Sequence, residues 1–406
     1  MTEGKLGERA RKSVHRWLDR IWPGILNDEN PSSFRTITER RPDELVNSFV
    51  NMYDKVVTAH DEKALFIKYI PRYKHYRAPK NPIVLCHGLS GFDKLILVPS
   101  VAQLVKVLNI HNVLNNEESY MNEDADLVTT KGMIEIEYWI GVKDALEKNG
   151  CKVITAKVPG FGSIETRAGI LDACIERETD KLRQNFKPEE IYNRSKVKCK
   201  ESENEPIKVN LIAHSMGGLD CRYLISNIPN TNYKVVSLTT VCTPHRGSEM
   251  GDFVVNLADS LEKSLPVENS LRKLAPAIYQ LTTSYMEDFN AKTPNDPSIA
   301  YFSYGACFHP KWFNVFYPSW RIISDLSNGQ PNDGLVTVQS SKWGEYLGTL
   351  TNTDHLDIIN WKNKLQLELS SKIPESYGFL KDQVRPSIDI LSFYMGVANG
   401  LAERGF

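Results

Sequence analysis

The sequence has no apolar run long enough to cross a lipid bilayer. Its longest runs, such as Lys94–Val101, are interrupted well before the roughly 18 residues that a membrane span requires. It also has no excess of charge, because 49 basic and 50 acidic side chains leave a formal net charge of −1. That balance gives no reason to expect a nucleic-acid partner.

Cysteine is scarce and scattered. The seven cysteines stand singly, without any CxxC spacing, and their total is odd. A zinc site needs closely spaced ligands, and a secreted disulfide scaffold needs an even number of cysteines. The sequence therefore predicts neither. The pattern favours a reduced, intracellular protein that is not secreted. The seven residues are Cys86, Cys151, Cys174, Cys199, Cys221, Cys242 and Cys307.

The N-terminus lacks the apolar core of a secretory signal. Instead, Lys5–Trp22 places apolar residues at helical spacing with basic residues among them, which predicts a basic amphipathic helix. Such a helix is typical of a mitochondrial targeting segment or of a membrane-surface anchor, although Glu3, Glu8 and Asp19 are unusual in a transit peptide. A helix that simply docks on the main domain is the alternative.

Short β-branched runs alternate with helical patterns through the middle of the 406-residue chain. This alternation predicts an α/β fold with a mostly parallel sheet and helices on both faces. The predicted strands are Pro82–Cys86, Cys151–Val158, Ile207–Ala213, Val235–Val241 and Ile299–Tyr304, and the predicted crossover helices are Tyr138–Lys148, Ala168–Phe186 and Met216–Asn227. We place one domain at 76–370, an N-terminal extension at 1–75, a C-terminal extension at 371–406 and polar surface insertions at 109–131 and 187–205.

A candidate nucleophile lies where a predicted strand meets a predicted helix. The segment Val209–Leu219 (VNLIAHSMGGL) runs from an apolar strand through small residues into a helical pattern, as a nucleophile elbow requires. The sharp turn strains the backbone of Ser215, so residues two positions away must be small. Ala213 and Gly217 meet this condition, although alanine replaces the first glycine of the usual G-x-S-x-G pattern. The sequence therefore predicts Ser215 as the nucleophile.

A serine nucleophile needs a histidine base and a carboxylate that orients it, and on this fold both follow the serine in the order acid, then base. His245 comes too early to leave room for an acid before it, and His309 precedes the best acid candidate, so His355 is the expected base. The best-placed acid is Asp333, in a turn-rich segment. Asp325 and Asp354 remain rivals, because local sequence alone makes Asp333 an ordinary turn aspartate before glycine.

The transition state also needs an oxyanion hole, meaning two backbone N–H groups aimed at the developing alkoxide. One is expected from Met216, directly after the nucleophile. The other is expected from Leu89, in the glycine-containing loop after the first predicted strand. His87 and His214 flank these donors and are expected to be structural.

The chain resembles the bacterial true lipases of the Pseudomonas and Burkholderia type and their fungal mitochondrial-type relatives. Six segments carry the resemblance, in the family's order, over most of residues 80–365. They are His87–Lys94, Tyr138–Gly141 (YWIG), Val209–Tyr223, Thr243–Ser248 (TPHRGS), Asn332–Val336 (NDGLV) and His355–Asp357. The resemblance implies an α/β-hydrolase fold, hydrolysis of acylglycerol esters, and Asp333 and His355 as acid and base.

The resemblance implies further features. A helical lid should lie at about 249–289, where the sequence is indeed amphipathic, and the partners should be a lipid ester and a lipid interface or membrane surface. Phospholipase, carboxylesterase or acyltransferase activity is an alternative, and a non-catalytic lipid-binding protein is a more distant one.

The chain also departs from its bacterial relatives. They often carry a cysteine shortly after the NDGLV segment, where this chain has Val338–Ser340, so no disulfide is expected there. No cofactor is expected to be required. A structural calcium remains open: Asp357 matches one family ligand and 361–365 offers carbonyls, but a second aspartate well upstream of Asp333 is missing.

Overall fold

The described residues form one parallel sheet of six strands. The computed structural model describes residues 76–89, 138–184, 205–229, 232–262, 276–310, 316–361 and 389–406. Its strands are β1 (Ile83–Cys86), β2 (Val153–Ala156), β3 (Ile207–His214), β4 (Tyr233–Val241), β5 (Ala300–Cys307) and β6 (Glu345–Thr351). They pair in the order β2-β1-β3-β4-β5-β6, and every pair is parallel.

Helices connect the strands. They are α1 (Val142–Lys148), α2 (Ile164–Gln184), α3 (Gly217–Asn227), α4 (Glu249–Glu262), α5 (Pro276–Gln280), α6 (Thr283–Lys292), α7 (Tyr317–Leu326), α8 (Val338–Ser341) and α9 (Ile390–Glu403). All five predicted strands and all three predicted crossover helices are present, with shifted ends. Four of the described elements were not predicted: β6, a strand with no buried residue, and the helices α7, α8 and α9.

The sheet is covered on both faces because side chains alternate along each strand. On β1, Ile83 and Leu85 pack into a core with α1 and α9, whereas Val84 and Cys86 pack into the opposite core with α2 and α3. Strands buried on both faces are nearly continuous apolar runs, which is why they were recognisable in the sequence.

The C-terminal helix α9 is part of this core rather than an appendage. Its residues Tyr394 and Met395 are fully buried, and the backbone N–H of Lys80, just before β1, donates to the carbonyl of Phe406. The end of the predicted C-terminal extension 371–406 therefore packs into the core, while the predicted domain bounds themselves stay a prediction.

The strand order reverses at β1, which has β2 on one side and β3 on the other. In open parallel sheets, ligands bind beyond the carboxyl ends of the strands at such a reversal. The loop after β1 and the turn after β3 meet at this point, so the topology alone places Leu89 and Ser215 beside each other.

Several predicted features lie outside the described residues. They include the amphipathic helix at 5–22, the insertion 109–131 and nearly all of 187–205. Among the described helices, none is long and apolar enough to cross a membrane.

Candidate active site

Ser215 occupies a strained turn between β3 and α3. Its φ is 55°, in the left-handed region that side chains rarely adopt, and its N–H donates to the carbonyl of Val241. The turn depends on a small residue after it, since a Cβ on Gly217 would lie 2.6 Å from the carbonyl oxygen of Cys86. This backbone arrangement projects the Ser215 hydroxyl at the end of the sheet, as a nucleophile elbow does.

The three predicted triad residues lie together. His355 Nε2 is 2.9 Å from Ser215 Oγ, and His355 Nδ1 is 2.8 Å from Asp333 Oδ2. Ser215 is 8%, His355 4% and Asp333 1% exposed, so water does not compete for these bonds. An imidazole held in this way can take the serine proton at Nε2 while its Nδ1–H stays on the carboxylate.

The loop around Asp333 fixes its carboxylate. Oδ1 accepts the N–H groups of Leu335 and Val336 at 2.9 and 2.8 Å, which leaves Oδ2 facing His355. The two rival acids are engaged elsewhere: Asp325 pairs with Arg321 at the surface, and Asp354 Oδ1 accepts backbone N–H groups of its own loop.

The loop after β1 lies directly against the nucleophile. A Cβ on Gly88 would be 2.6 Å from Ser215 Cβ, so only glycine permits this approach. Leu89 and Met216 are buried beside it. Among the described residues, neither of their backbone N–H groups donates to a protein acceptor. Two buried donors without a protein acceptor, next to the serine, are what an oxyanion hole requires.

A buried ion pair supports this loop from behind. Arg167 of α2 is 0% exposed and its guanidinium makes three hydrogen bonds to the Asp220 carboxylate of α3, at 2.7, 2.9 and 3.1 Å. The same guanidinium donates to the carbonyls of His87 and Gly88 at 3.0 and 3.2 Å. The pair therefore connects the elbow helix to the oxyanion loop.

Sequence reasoning missed Arg167 and Asp220. Charged residues within a helical pattern are usually solvated, so a buried ion pair is not the expected role of either residue. A weak signal exists for Asp220, because it lies five residues after the nucleophile on the first turn of the helix that must pack under the site.

Three further histidines near the site are buried and neutral. Burial and the Arg167 charge lower the pKa of His87 to about 3, and its Nε2 accepts the N–H of Val158. Burial first, then neighbouring charges, likewise lower the pKa of His214 and His245 well below the usual value. The structural roles expected of His87 and His214 stay predictions that agree with buried, neutral rings.

An apolar pocket opens beside Ser215. Its lining includes Pro244, Met250, Val254, Ile278, Leu281 and Val336. Met250 and Val254 belong to α4, the first helix of the predicted lid region, while Val336 follows the triad acid. The pocket thus joins the reactive hydroxyl to a surface that suits a hydrocarbon chain.

Part of the predicted calcium site around Asp357 lies outside the described residues. Asp357 Oδ2 accepts the N–H of Asp354 at 3.0 Å, and only Trp361 of the carbonyl range 361–365 lies within the described residues. Among those residues, one group of three potential metal ligands lies within 4.8 Å of one another, namely Cys242, Asp333 and His355. That group includes a thiol, which does not suit calcium, and it leaves out Asp357.

Comparison with known proteins is consistent with this geometry. The chain is similar to Triacylglycerol lipase 2 of Saccharomyces cerevisiae, with 52% identity over 337 residues that cover 82% of this chain and 94% of that relative. The chain belongs to the triacylglycerol lipase family. Its α/β-hydrolase fold, its family and its class as an ester hydrolase, all predicted from the sequence, are confirmed.

Bacterial relatives are more distant. A triacylglycerol lipase of Burkholderia plantarii is 25% identical over 349 residues, covering 70% of this chain and 80% of that one. Among solved structures, the Staphylococcus hyicus lipase aligns with a TM-score of 0.47 and 18% identity, covering 82% of this chain and 99% of that one. No family model matches the chain.

Proposed function

We propose that the enzyme hydrolyses acylglycerol esters through an acyl-enzyme on Ser215. The observation that carries this proposal is the continuous chain of hydrogen bonds from Asp333 through His355 to Ser215, at 2.8 and 2.9 Å, next to an apolar pocket. The hydrogen-bonded triad supplies a nucleophile, and the apolar pocket supplies a place for the fatty acyl chain.

The reaction then follows from the positions of the atoms. Ser215 Oγ attacks the ester carbonyl while His355 Nε2 takes the hydroxyl proton, and the N–H groups of Leu89 and Met216 receive the negative oxygen. As the intermediate collapses, the carbonyl re-forms, the ester C–O bond breaks and His355 returns its proton to the leaving alcohol. Water repeats the sequence and releases the fatty acid. Asp333 holds the imidazole in the required tautomer throughout.

Substitution at the triad tests the chemistry. Ser215→Ala should lower kcat by about 10⁶-fold while the protein stays folded, because only the oxyanion donors and binding remain. Asp333→Asn should lower kcat by about 10⁴-fold, because the amide no longer holds His355 in the required tautomer. Asp325→Asn is the matched control and should leave kcat near the wild-type value. If Asp325→Asn lost activity and Asp333→Asn kept it, the acid assignment would be wrong.

The substrate class needs its own experiment. The same acyl-enzyme passes its acyl group to any acceptor the site admits, so phospholipase, carboxylesterase and acyltransferase activities are the alternatives. We expect emulsified long-chain acylglycerols to be hydrolysed faster than short soluble esters, because the pocket lining is apolar. A preference for soluble short-chain esters would identify an esterase. If a fluorophosphonate failed to label Ser215 in the folded protein, all of these serine-dependent activities would be excluded.

We also propose that α4 is part of a lid that responds to a lipid surface. Met250 and Val254 line the pocket from α4, so displacing this helix in favour of lipid would open the site without exposing apolar surface to water. Activity on one ester should therefore rise when a lipid–water interface forms. Equal rates below and above the solubility limit would contradict the lid.

An intracellular location, with the mitochondrion as the first compartment to examine, is a further proposal. It is supported by the basic amphipathic pattern at 5–22 and by the scattered cysteines. A fluorescent fusion of the full chain in yeast should co-localise with mitochondria, and glutamine in place of the basic residues at 5–22 should abolish this. Unchanged localisation of the variant would leave membrane anchoring or simple docking as the role of the segment.

Structural calcium at Asp357 stays a prediction. If calcium binds there, it should raise the Tm, and both chelator and Asp357→Asn should remove the increase. Identical melting with calcium and with chelator would exclude a functional calcium site.

A further inference from the structure

Tyr138 connects the oxyanion loop to the strand that carries the nucleophile. Its hydroxyl accepts the backbone N–H of Gly88 at 3.0 Å and lies 2.7 Å from Nδ1 of His214, the residue before Ser215. The proposed catalytic steps assign no role to either side chain.

The two groups that meet at this hydroxyl are uncharged. Burial raises the pKa of Tyr138, so its hydroxyl keeps its proton, and burial lowers the pKa of His214, so its ring stays neutral. The hydroxyl oxygen accepts from Gly88, and one proton lies between it and His214 Nδ1, on the hydroxyl or on the ring according to the tautomer of His214. In either tautomer the Tyr138 hydroxyl connects the Gly88 N–H to His214.

This arrangement has a consequence for the oxyanion loop. Because the Gly88 N–H donates to Tyr138, the next N–H along the loop, that of Leu89, is the one left for an oxyanion. The loop has little room to adjust, since a Cβ on Gly88 would lie 2.6 Å from Ser215 Cβ and 2.9 Å from the Tyr138 hydroxyl. A shift of the Gly88 peptide would move the Leu89 donor with it.

The other end of the chain reaches the base. The ring of His214 packs against the ring of His355, with centroids 4.5 Å apart and a tilt of 41°. Tyr138 therefore fixes two parts of the site. One is the His214 ring, which packs against the base His355, and the other is the loop that forms the oxyanion hole. Arg167 donates to two carbonyl oxygens of the same loop. Tyr138 instead accepts a backbone N–H of that loop, the one of Gly88.

We propose that Tyr138 is a positioning residue that sets the depth of the oxyanion loop and fixes His214 beside the base. The inference rests on the proposed function, because it assigns Tyr138 a role in the same acyl transfer. It acts through Gly88 and His214, not through contact with the ester.

Tyr138→Phe tests the proposal by removing only the hydroxyl. We expect kcat to fall about tenfold, the effect of leaving one buried donor without its acceptor, which is less than the hundredfold or more that loss of an oxyanion donor itself costs. KM should change little, because the acyl pocket is untouched. The Ki of a boronic acid, which mimics the tetrahedral intermediate, should rise in proportion to the loss in kcat.

Tyr394→Phe is the matched control. Tyr394 is also fully buried and its ring packs against Trp139, the neighbour of Tyr138, but its hydroxyl has no partner among the described residues. Its substitution should leave kcat and the boronic acid Ki unchanged. Equal losses in the two variants would show a general packing effect and overturn the proposal.

A second variant covers the case in which Tyr138→Phe folds poorly. His214→Asn removes the imidazole at the far end but leaves the Tyr138 hydroxyl to hold Gly88, so its loss of kcat should be the smaller of the two. A larger loss, or unchanged kcat and Ki in a folded Tyr138→Phe protein, contradicts the proposal. Fluorophosphonate labelling of the wild type separates the two levels: without a label on Ser215 the proposed function itself fails, whereas a labelled wild type confines the failure to Tyr138.

Discussion

Two buried arginines support loops beside the active site, and their charges are balanced in different ways. Arg167 is fully buried and shares its charge with the Asp220 carboxylate. Arg222, on the elbow helix α3, is 2% exposed and has no carboxylate within ion-pair distance among the described residues. Instead, its guanidinium lies 3.6 Å from the centroid of the Trp343 ring and 5.2 Å from that of Phe289.

The loops they support differ as well. Arg167 donates to the carbonyls of the oxyanion loop, whereas Arg222 lies 3.4 Å from His245 in the TPHRGS segment, whose Pro244 lines the pocket. Burial lowers the pKa of Arg222 to about 9, which still leaves it charged at neutral pH. A charge balanced by ring faces leaves no opposite charge behind when it is removed. A charge balanced by a carboxylate does, and substitution should expose this difference.

The largest effect is expected at Arg167. Arg167→Met should lower the free energy of unfolding by about 3–5 kcal/mol, because it strands a buried Asp220 carboxylate. It should also reduce kcat, since the oxyanion loop loses its carbonyl partners. Urea unfolding and steady-state rates measure the two effects separately.

The double variant Arg167→Met/Asp220→Leu sharpens this result. Removing both charges should restore most of the stability, since a buried ion pair can be replaced by apolar residues of similar volume. It should not restore kcat, because no donor reaches His87 and Gly88. If activity returned together with stability, the loop contacts of Arg167 would be irrelevant to catalysis.

A smaller effect is expected at Arg222. Arg222→Met should cost about 2 kcal/mol, the scale of a desolvated cation–π contact, because no carboxylate is stranded. A second substitution that removes an acidic side chain should not restore the lost stability, because Arg222 has no carboxylate partner among the described residues. A loss as large as that of Arg167→Met would mean that an unseen negative group balances Arg222, and the contrast between the two sites would disappear.

The sequence predicted the parts of the site that have local signatures. Ser215 was identified by small residues at a strand-to-helix turn, and His355 by chain order. Asp333 needed the family resemblance, because an aspartate before glycine has an ordinary explanation as a turn residue. The parallel strands were recognisable as buried apolar runs, whereas β6 was missed because its alternate residues are largely exposed and Gly348 interrupts it.

The supporting network could not have been found in this way. Arg167 lies three residues before Ile170 and four before Leu171, so its register is that of the buried face of α2, but this register does not name the carboxylate that makes its burial tolerable. Its burial is decided by where α2, α3 and the oxyanion loop pack, which depends on residues more than 50 positions apart. Contacts of this kind belong to tertiary structure, and a local pattern does not encode them.

The effect that is smallest at neutral pH concerns the histidine beside each arginine. His87 is near Arg167 and His245 is near Arg222, and burial, reinforced by the arginine charge, lowers both pKa values, that of His87 to about 3. Histidines in the unfolded chain have a pKa near 6.5, so below that pH the unfolded chain binds more protons than the folded protein. The stabilisation is therefore complete above pH 6.5 and is lost as the pH falls toward the folded pKa.

Each such histidine should contribute a slope of up to about 1.4 kcal/mol per pH unit in this window. Urea unfolding of the wild type at pH 7.5, 6.5, 5.5 and 4.5 gives the total slope, to which carboxylates also contribute. His245→Gln and His87→Gln should each flatten it by about one proton, and the exposed His309→Gln serves as the control for substitution itself. If either buried-site variant kept the wild-type slope, that histidine would already be protonated or exposed in the folded protein, and its arginine would not be surrounded as the structure describes.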